Sequence, residues 1–210
     1  MTQSDEHKSR KICLLGASAV GKTSLVRRFV YGIFDETYET TIGCHIVDNS
    51  VSVDGTQVTL NIWDLEGKDD PRSEYDTTYL AGAEGYMLVA DVARPDTLDV
   101  AKDLLSIIVR HRKEERVKKE GVLVEVLEED DPPFVLLLNK QDLHPSREAT
   151  ARAFEGLVDD SKIFKTSAKK DHMENEPFHH MVNEAFQCLT QQMLEVDRQK
   201  NKEGGETTNL

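Results

Sequence analysis

Gly16-Ala17-Ser18-Ala19-Val20-Gly21-Lys22-Thr23 lies between an apolar run, Ile12 to Leu15, and a segment, Ser24 to Tyr31, whose pattern predicts a helix. This is Gly-x4-Gly-Lys-Ser/Thr in a strand–loop–helix setting. The spacing has a physical reason. Two glycines let the backbone wrap an anion so that successive N–H groups point inward, and the helix start adds its positive dipole end. Ser18, Ala19, Val20, Gly21 and Ser24 supply the cradle. Lys22 reaches outward along a chain of phosphates, and the Thr23 hydroxyl is placed to face a divalent cation. A glycine-rich turn has the same composition, but the strand before it and the helix after it favour the phosphate reading.

Outward from this loop, the pattern predicts alternating strands and helices. Lys11 to Leu15 is the first strand. Residues 32–43 read as a loop. His45 to Val53 and Val58 to Trp63 flank Asp54-Gly55, a two-residue hairpin signal, and so form an antiparallel pair. Residues 64–74 make a second, charged loop. Tyr86 to Asp91, Phe134 to Leu138 and Ile163 to Thr166 are short apolar strands. Leu98, Ala101, Leu104, Leu105 and Ile108 recur at helical spacing, as do Phe178, Met181, Val182, Ala185, Phe186 and Leu189 in a helix from Pro177 to Met193. Ser146 to Gly156 reads as another helix. The expected architecture is α/β: a six-stranded, mainly parallel sheet with one antiparallel strand and helices on both faces. Ligands of such sheets bind at the carboxyl ends of the strands. Residues 1–10 read as a polar arm, 11–195 as one domain with 111–133 as an insertion, and 196–210 as a disordered polar tail.

Composition narrows the class. The chain has 210 residues, 38% of them hydrophobic, and a net charge of −13. The negative balance argues against nucleic-acid binding and against a polybasic membrane anchor. Three cysteines, Cys13, Cys44 and Cys188, lack metal-binding spacing and imply no disulfide framework, which fits a reducing cytoplasm. No run approaches the ~20 apolar residues of a membrane helix. A prenylation or myristoylation signal is not expected, since no cysteine occurs in the last four residues and Thr2 follows Met1.

Four further stretches complete a set. Thr41-Ile42-Gly43 lies in the first loop. Trp63-Asp64-Leu65-Glu66-Gly67 follows the third strand, Asn139-Lys140-Gln141-Asp142 the fifth, and Thr166-Ser167-Ala168-Lys169 the sixth. With the phosphate loop, over roughly residues 10–195, they resemble the Ras superfamily of small GTPases, within the P-loop NTPase fold. The Thr-Ile-Gly triplet and Tyr79-Leu80-Ala81-Gly82-Ala83-Glu84-Gly85 look Rab-like, and the whole chain is also similar to the Rab-like single-domain GTPases of bacteria. The resemblance implies a monomeric GTP/GDP- and Mg2+-binding switch that hydrolyses GTP. It meets effectors and regulators through residues 32–43 and 64–80 and the strand at 45–53.

Chemistry supports the same roles. The Asp142 carboxylate can accept from guanine N1–H and the exocyclic amine, a donor pair that adenine lacks. Asn139 is placed to bond the ring edge and the phosphate loop. Lys140 and Lys169 flank the base, the Ser167 and Ala168 backbone receives the guanine oxygen, and Phe34 is an aromatic against the base. Thr23 and Thr41 would hold Mg2+, with Asp64 acting through water. Thr41 and the Gly67 amide would sense the γ-phosphate, an order–disorder switch. Tyr38 is either a cover for the phosphates or simply an exposed tyrosine.

The second loop departs from the family's usual Trp-Asp-Thr-Ala-Gly-Gln-Glu. Lys68 stands where the glutamine orients the attacking water, and an ammonium has donors but no acceptor. Gly67 and Lys68 are therefore the candidate catalytic positions, with slowed hydrolysis expected. Glu66 or Asp69 positioning the water is the alternative. A GTP-bound scaffold without turnover is a second reading, and an ATP-using phosphoryl enzyme a third, which Asn139 to Asp142 disfavours.

Overall fold

The computed structural model describes residues 8–35, 40–74, 76–120, 132–143, 159–169 and 180–206. Six strands form one sheet: β1 (Lys8–Gly16), β2 (Cys44–Val53), β3 (Thr56–Leu65), β4 (Gly85–Asp91), β5 (Phe134–Asn139) and β6 (Ile163–Lys165), in the order β2-β3-β1-β4-β5-β6. β2 pairs antiparallel with β3, and all other neighbours pair parallel. The expected fold is therefore observed. Helices α1 (Lys22–Tyr31), α2 (Pro71–Glu74), α3 (Asp96–Glu120) and α4 (His180–Glu206) cover the sheet.

The covering follows from the sequence. β4 and β5 are buried at every residue, so they need a layer on each face. α1 and α4 pack together, with the Phe29 and Phe186 rings stacked at 3.7 Å. α2 packs on α3, and α3 on β1 and β4. α4 packs closely over Gly85. A Cβ there would lie 3.0 Å from both Leu189 Cδ1 and Met193 Sδ. The chain crosses from β1 toward β3 on one side and β4 on the other, so the sheet's switch point falls at the carboxyl end of β1, where the phosphate loop begins.

Two boundaries differ from the sequence reading. β1 starts at Lys8, inside the expected polar arm, because Lys8, Ser9 and Arg10 pair in register with Val58, Thr59 and Leu60. The Arg10 guanidinium also binds the Glu84 and Asp197 carboxylates. The last helix continues to Glu206, where the sequence reading placed a disordered tail. Its apolar stripe ends with Met193 and Leu194, and the extra turns are tied by Asp197 to Arg10 and by Arg198 to Asp54. The expected helix at 146–156, the apolar centre of the insertion and Tyr38 lie outside the described residues.

Candidate functional site

A cleft of about 390 Å³ opens at the carboxyl ends of the parallel strands. Its walls include Ser18, Gly21 to Ser24, Phe34, Thr41, Gly67, Asn139, Lys140, Asp142, Ala168 and Lys169. The structure thus brings together most of the residues singled out from sequence. Lys68, Asp64 and Ser167 are not among its walls, and neither is Val20, which is fully buried.

The floor is the phosphate loop. Gly21 adopts φ 96° as the residue preceding α1, and a Cβ there would fall 2.5 Å from Asn139 Nδ2, so no side chain fits. Ala19 and Lys140 are also held in the left-handed region, at φ 59° and 65°. Non-glycine residues persist there where surrounding contacts enforce it. One such contact joins the two, since Lys140 Nζ donates to the Ala19 carbonyl at 2.7 Å and pairs with Asp91 at 2.7 Å. Asn139 Nδ2 donates to the Val20 carbonyl at 2.9 Å. The far loop is thereby fastened to the phosphate loop. Lys22 is 6% exposed, and its Nζ donates to the Gly16 and Ala17 carbonyls at 3.0 and 2.9 Å. Burial pulls its ammonium down to about 8, with Asp64 the strongest opposing charge.

A second cluster sits at the start of α1. Thr23 Oγ1 donates to Asp64 Oδ2 at 2.6 Å and lies 2.7 Å from Thr41 Oγ1. Asp64 is fully buried, and its Oδ1 has no hydrogen-bond partner. Burial raises the Asp64 pKa against the opposing Thr23 hydrogen bond and the Lys22 charge. A buried carboxylate oxygen without a partner is costly unless something meets it. With the Thr23 hydroxyl on the carboxylate's other oxygen and the Thr41 hydroxyl next to it, the group is an all-oxygen set of the kind a hard divalent cation takes. The donor set therefore fits Mg2+.

On the opposite side, the Ser167 hydroxyl donates to Asp142 Oδ1 at 2.5 Å. This fixes the carboxylate in the wall of the cleft that Lys22 also lines. Thr166 N–H bonds the Leu138 carbonyl at 3.0 Å, and Gln141 N–H the Thr166 carbonyl at 3.2 Å, so these two loops form one wall.

Sequence reasoning missed several ties. Arg28 on α1 donates twice to the Ala168 carbonyl, at 2.9 and 2.8 Å, fixing the wall from behind. Ser18 N–H donates to Asp69 at 3.0 Å, Ser18 Oγ to the Gly67 carbonyl at 3.0 Å, and Arg94 to the Ser18 carbonyl at 2.9 Å. Every polar group of Ser18 is thus held by the second loop or by Arg94. Gly67 is in tight contact there, and a Cβ on it would stand 2.6 Å from both the Ala17 carbonyl and Ser18 Cα. Lys68 Nζ pairs with Glu66 at 3.2 Å. Apart from the Lys68–Glu66 pair, which is two residues apart, none of these partners has a local sequence signature, because each joins segments distant along the chain.

Residues 11–187 match the family model described as "Ras family". The chain belongs to the Ras family. It is 32% identical to the Ras-related protein Rab-7b of Mus musculus over 164 residues, which is 77% of this chain and 74% of that protein. It is 30% identical to the Ras-related protein Rab-8B of Homo sapiens and of Pongo abelii over 185 residues, covering 87% of this chain and 81% of theirs. As a Ras-family, Rab-like small GTPase, it is a GTP-binding switch that takes GTP or GDP with Mg2+, and a GTP hydrolase. No described helix is long and apolar enough to cross a membrane.

Proposed function

We propose that this Ras-family protein is a guanine-specific switch in which Asp142 reads the base, Lys22 and the 18–24 amides hold the phosphates, and hydrolysis is slow because Lys68 replaces the water-orienting glutamine. The observation that carries the reading is the placement of Asp142, oriented by Ser167, in the same cleft that Lys22 enters. Thr23, Thr41 and Asp64 are the residues that would hold Mg2+. Bound there, the ion would neutralise charge between the outer phosphates and withdraw electrons toward the leaving oxygen. Asn139 and Lys140 keep the base wall and the phosphate loop at fixed separation, and Phe34 and Lys169 close the cleft on its flanks.

Lys68 has no acceptor with which to orient a water, and its nearest charge is Glu66. The reading favours long occupancy of the GTP state. A GTP-bound scaffold without turnover shares every binding residue and differs only in rate. Effectors and regulators meet the protein through residues 32–43 and 64–80 and the strand at 45–53, as a monomer in the cytoplasm. The exposed Ile42 and Ile46 support that surface.

Competition between GTP and ATP tests the base reading. Wild type should prefer GTP, and Asp142→Ala should lose about 10²-fold of that preference, the worth of two hydrogen bonds to a carboxylate. Equal binding of ATP by wild type overturns it. Single-turnover hydrolysis tests Lys68. Lys68→Gln should turn over faster than wild type by about tenfold or more. A wild-type rate equal to the variant's refutes the slow-hydrolysis reading, and a loss of rate in Glu66→Ala or Asp69→Ala transfers water positioning to those carboxylates.

A further inference from the structure

β2 and β3 pair as far as Cys44 opposite Leu65. The next rung would join Gly43 to Glu66. There the backbone makes one bond, Glu66 N–H to the Gly43 carbonyl at 2.8 Å. The return bond comes from a side chain, with Gly43 N–H donating to Glu66 Oε2 at 3.0 Å. The other oxygen, Glu66 Oε1, accepts from Lys68 Nζ at 3.2 Å. One carboxylate therefore ties the first loop to the second and holds the Lys68 ammonium beside them. Two residues beyond Gly43, Thr41 stands 2.7 Å from Thr23 at the proposed metal site. Between them, Ile42 is 85% exposed, so its side chain does not anchor the loop.

We propose that Glu66 is a positioning residue that keeps residues 41–43 closed over the cleft without help from a γ-phosphate. Thr41 is then already placed in the GDP form, and the first loop changes less between GDP and GTP than a loop held by phosphate alone. The inference rests on the switch reading above only in giving Thr41 its role. The tie itself is a property of the folded chain.

Hydrogen–deuterium exchange on the full chain tests it, with GDP bound and with nucleotide removed. Glu66→Ala should raise exchange at the Gly43 amide about tenfold, the loss expected for a hydrogen bond to a charged acceptor. Glu66→Gln should stay within about threefold of wild type, because its amide oxygen can accept the same bond. Glu66→Ala should also raise the ratio of GDP release to GppNHp release, because only the GppNHp form keeps a γ-phosphate to hold the loop, and Glu66→Gln should restore it. A general loss of structure would not give that rescue. If Glu66→Ala exchanges like wild type at residues 41–44, the tie does not hold the loop and the proposal falls. If Glu66→Gln loosens the loop as much as Glu66→Ala, the Lys68 ion pair holds it instead, and the rung is refuted. A chain that binds no guanine nucleotide sinks the switch reading alone, and exchange on the nucleotide-free protein still decides the tie.

Discussion

Lys22 carries the main charge on the phosphate side of the cleft, and its environment makes that charge conditional on pH. Burial lowers its pKa to about 8, whereas an unfolded lysine titrates far higher. Between these values the folded, nucleotide-free chain holds fewer protons than the unfolded one. This group's contribution to stability without nucleotide therefore improves as pH rises through about 8 and beyond. A phosphate beside Lys22 favours the charged form and reverses the shift. Nucleotide binding should take up about half a proton at pH 8 and nearly one at pH 9. Calorimetric titration with GDP in two buffers of different ionisation heat measures that uptake. Affinity should fall as pH rises above 8. Zero uptake at pH 9 would mean that Lys22 is charged before the phosphate arrives. The type and position of this residue were legible from the Gly-x4-Gly-Lys motif. Its altered pKa was not, because that depends on burial in the folded cleft, opposed by Asp64, which the pairing of β1 with β3 brings alongside.

At the scale of elements, the second loop is clamped on the phosphate loop through both sides of the Ser18 peptide. Asp69 takes its N–H, Arg94 gives to its C=O, and Arg94 and Asp69 lie 3.6 Å apart. Both charged groups are partly exposed, so each bond contributes modestly, but they act on one peptide. Asp69→Ala and Arg94→Ala should each raise the association rate of a fluorescent GTP analogue by about two- to fivefold, because Ser18 and Gly67 both wall the cleft and the clamp holds them against each other. The double variant should gain little more, since either change opens the same contact. Stopped-flow association measures this, and fully multiplicative effects would show that the two residues act apart. This clamp was hidden in the sequence, where Asp69 read only as a candidate for positioning the water and nothing linked it or Arg94 to Ser18. The strands and the Asn139 to Asp142 turn were legible because their signals are local: apolar runs, β-branching and fixed spacing. The Glu66 tie was hidden for the clamp's reason. It is a cross-loop bond that depends on register, and register sets in only when the hairpin folds.

The whole molecule separates binding from stabilisation along the strands. The cleft lies at the carboxyl end of β1, and the Arg10 ties lie at its amino end, with Glu84 from the turn before β4 and Asp197 from the last turns of α4. The polar end of α4 therefore serves the sheet, not the site. Ending the chain after Glu195 keeps the buried contacts of Leu189, Met193 and Leu194 and removes the half-buried Val196, Asp197, Arg198 and the residues beyond. Arg10 would lose one of two carboxylates while its guanidinium remains largely covered, at 15% side-chain exposure. The cost should be about 1–2 kcal/mol of unfolding free energy, between that of an exposed pair and a buried one. Urea unfolding of the truncated chain should show that loss with the denaturant slope little changed, as expected when the same core is exposed. GDP affinity at pH 7 should stay within about twofold, since the removed turns contribute no wall of the cleft. Gly85→Ala provides the opposite case, because its methyl would press on Leu189 and Met193 inside the core. It should cost about 1–3 kcal/mol while also leaving the cleft intact. A truncated chain that unfolds normally but releases GDP many times faster would show instead that the end of α4 reaches the cleft through the sheet, and the division of labour along β1 would be wrong.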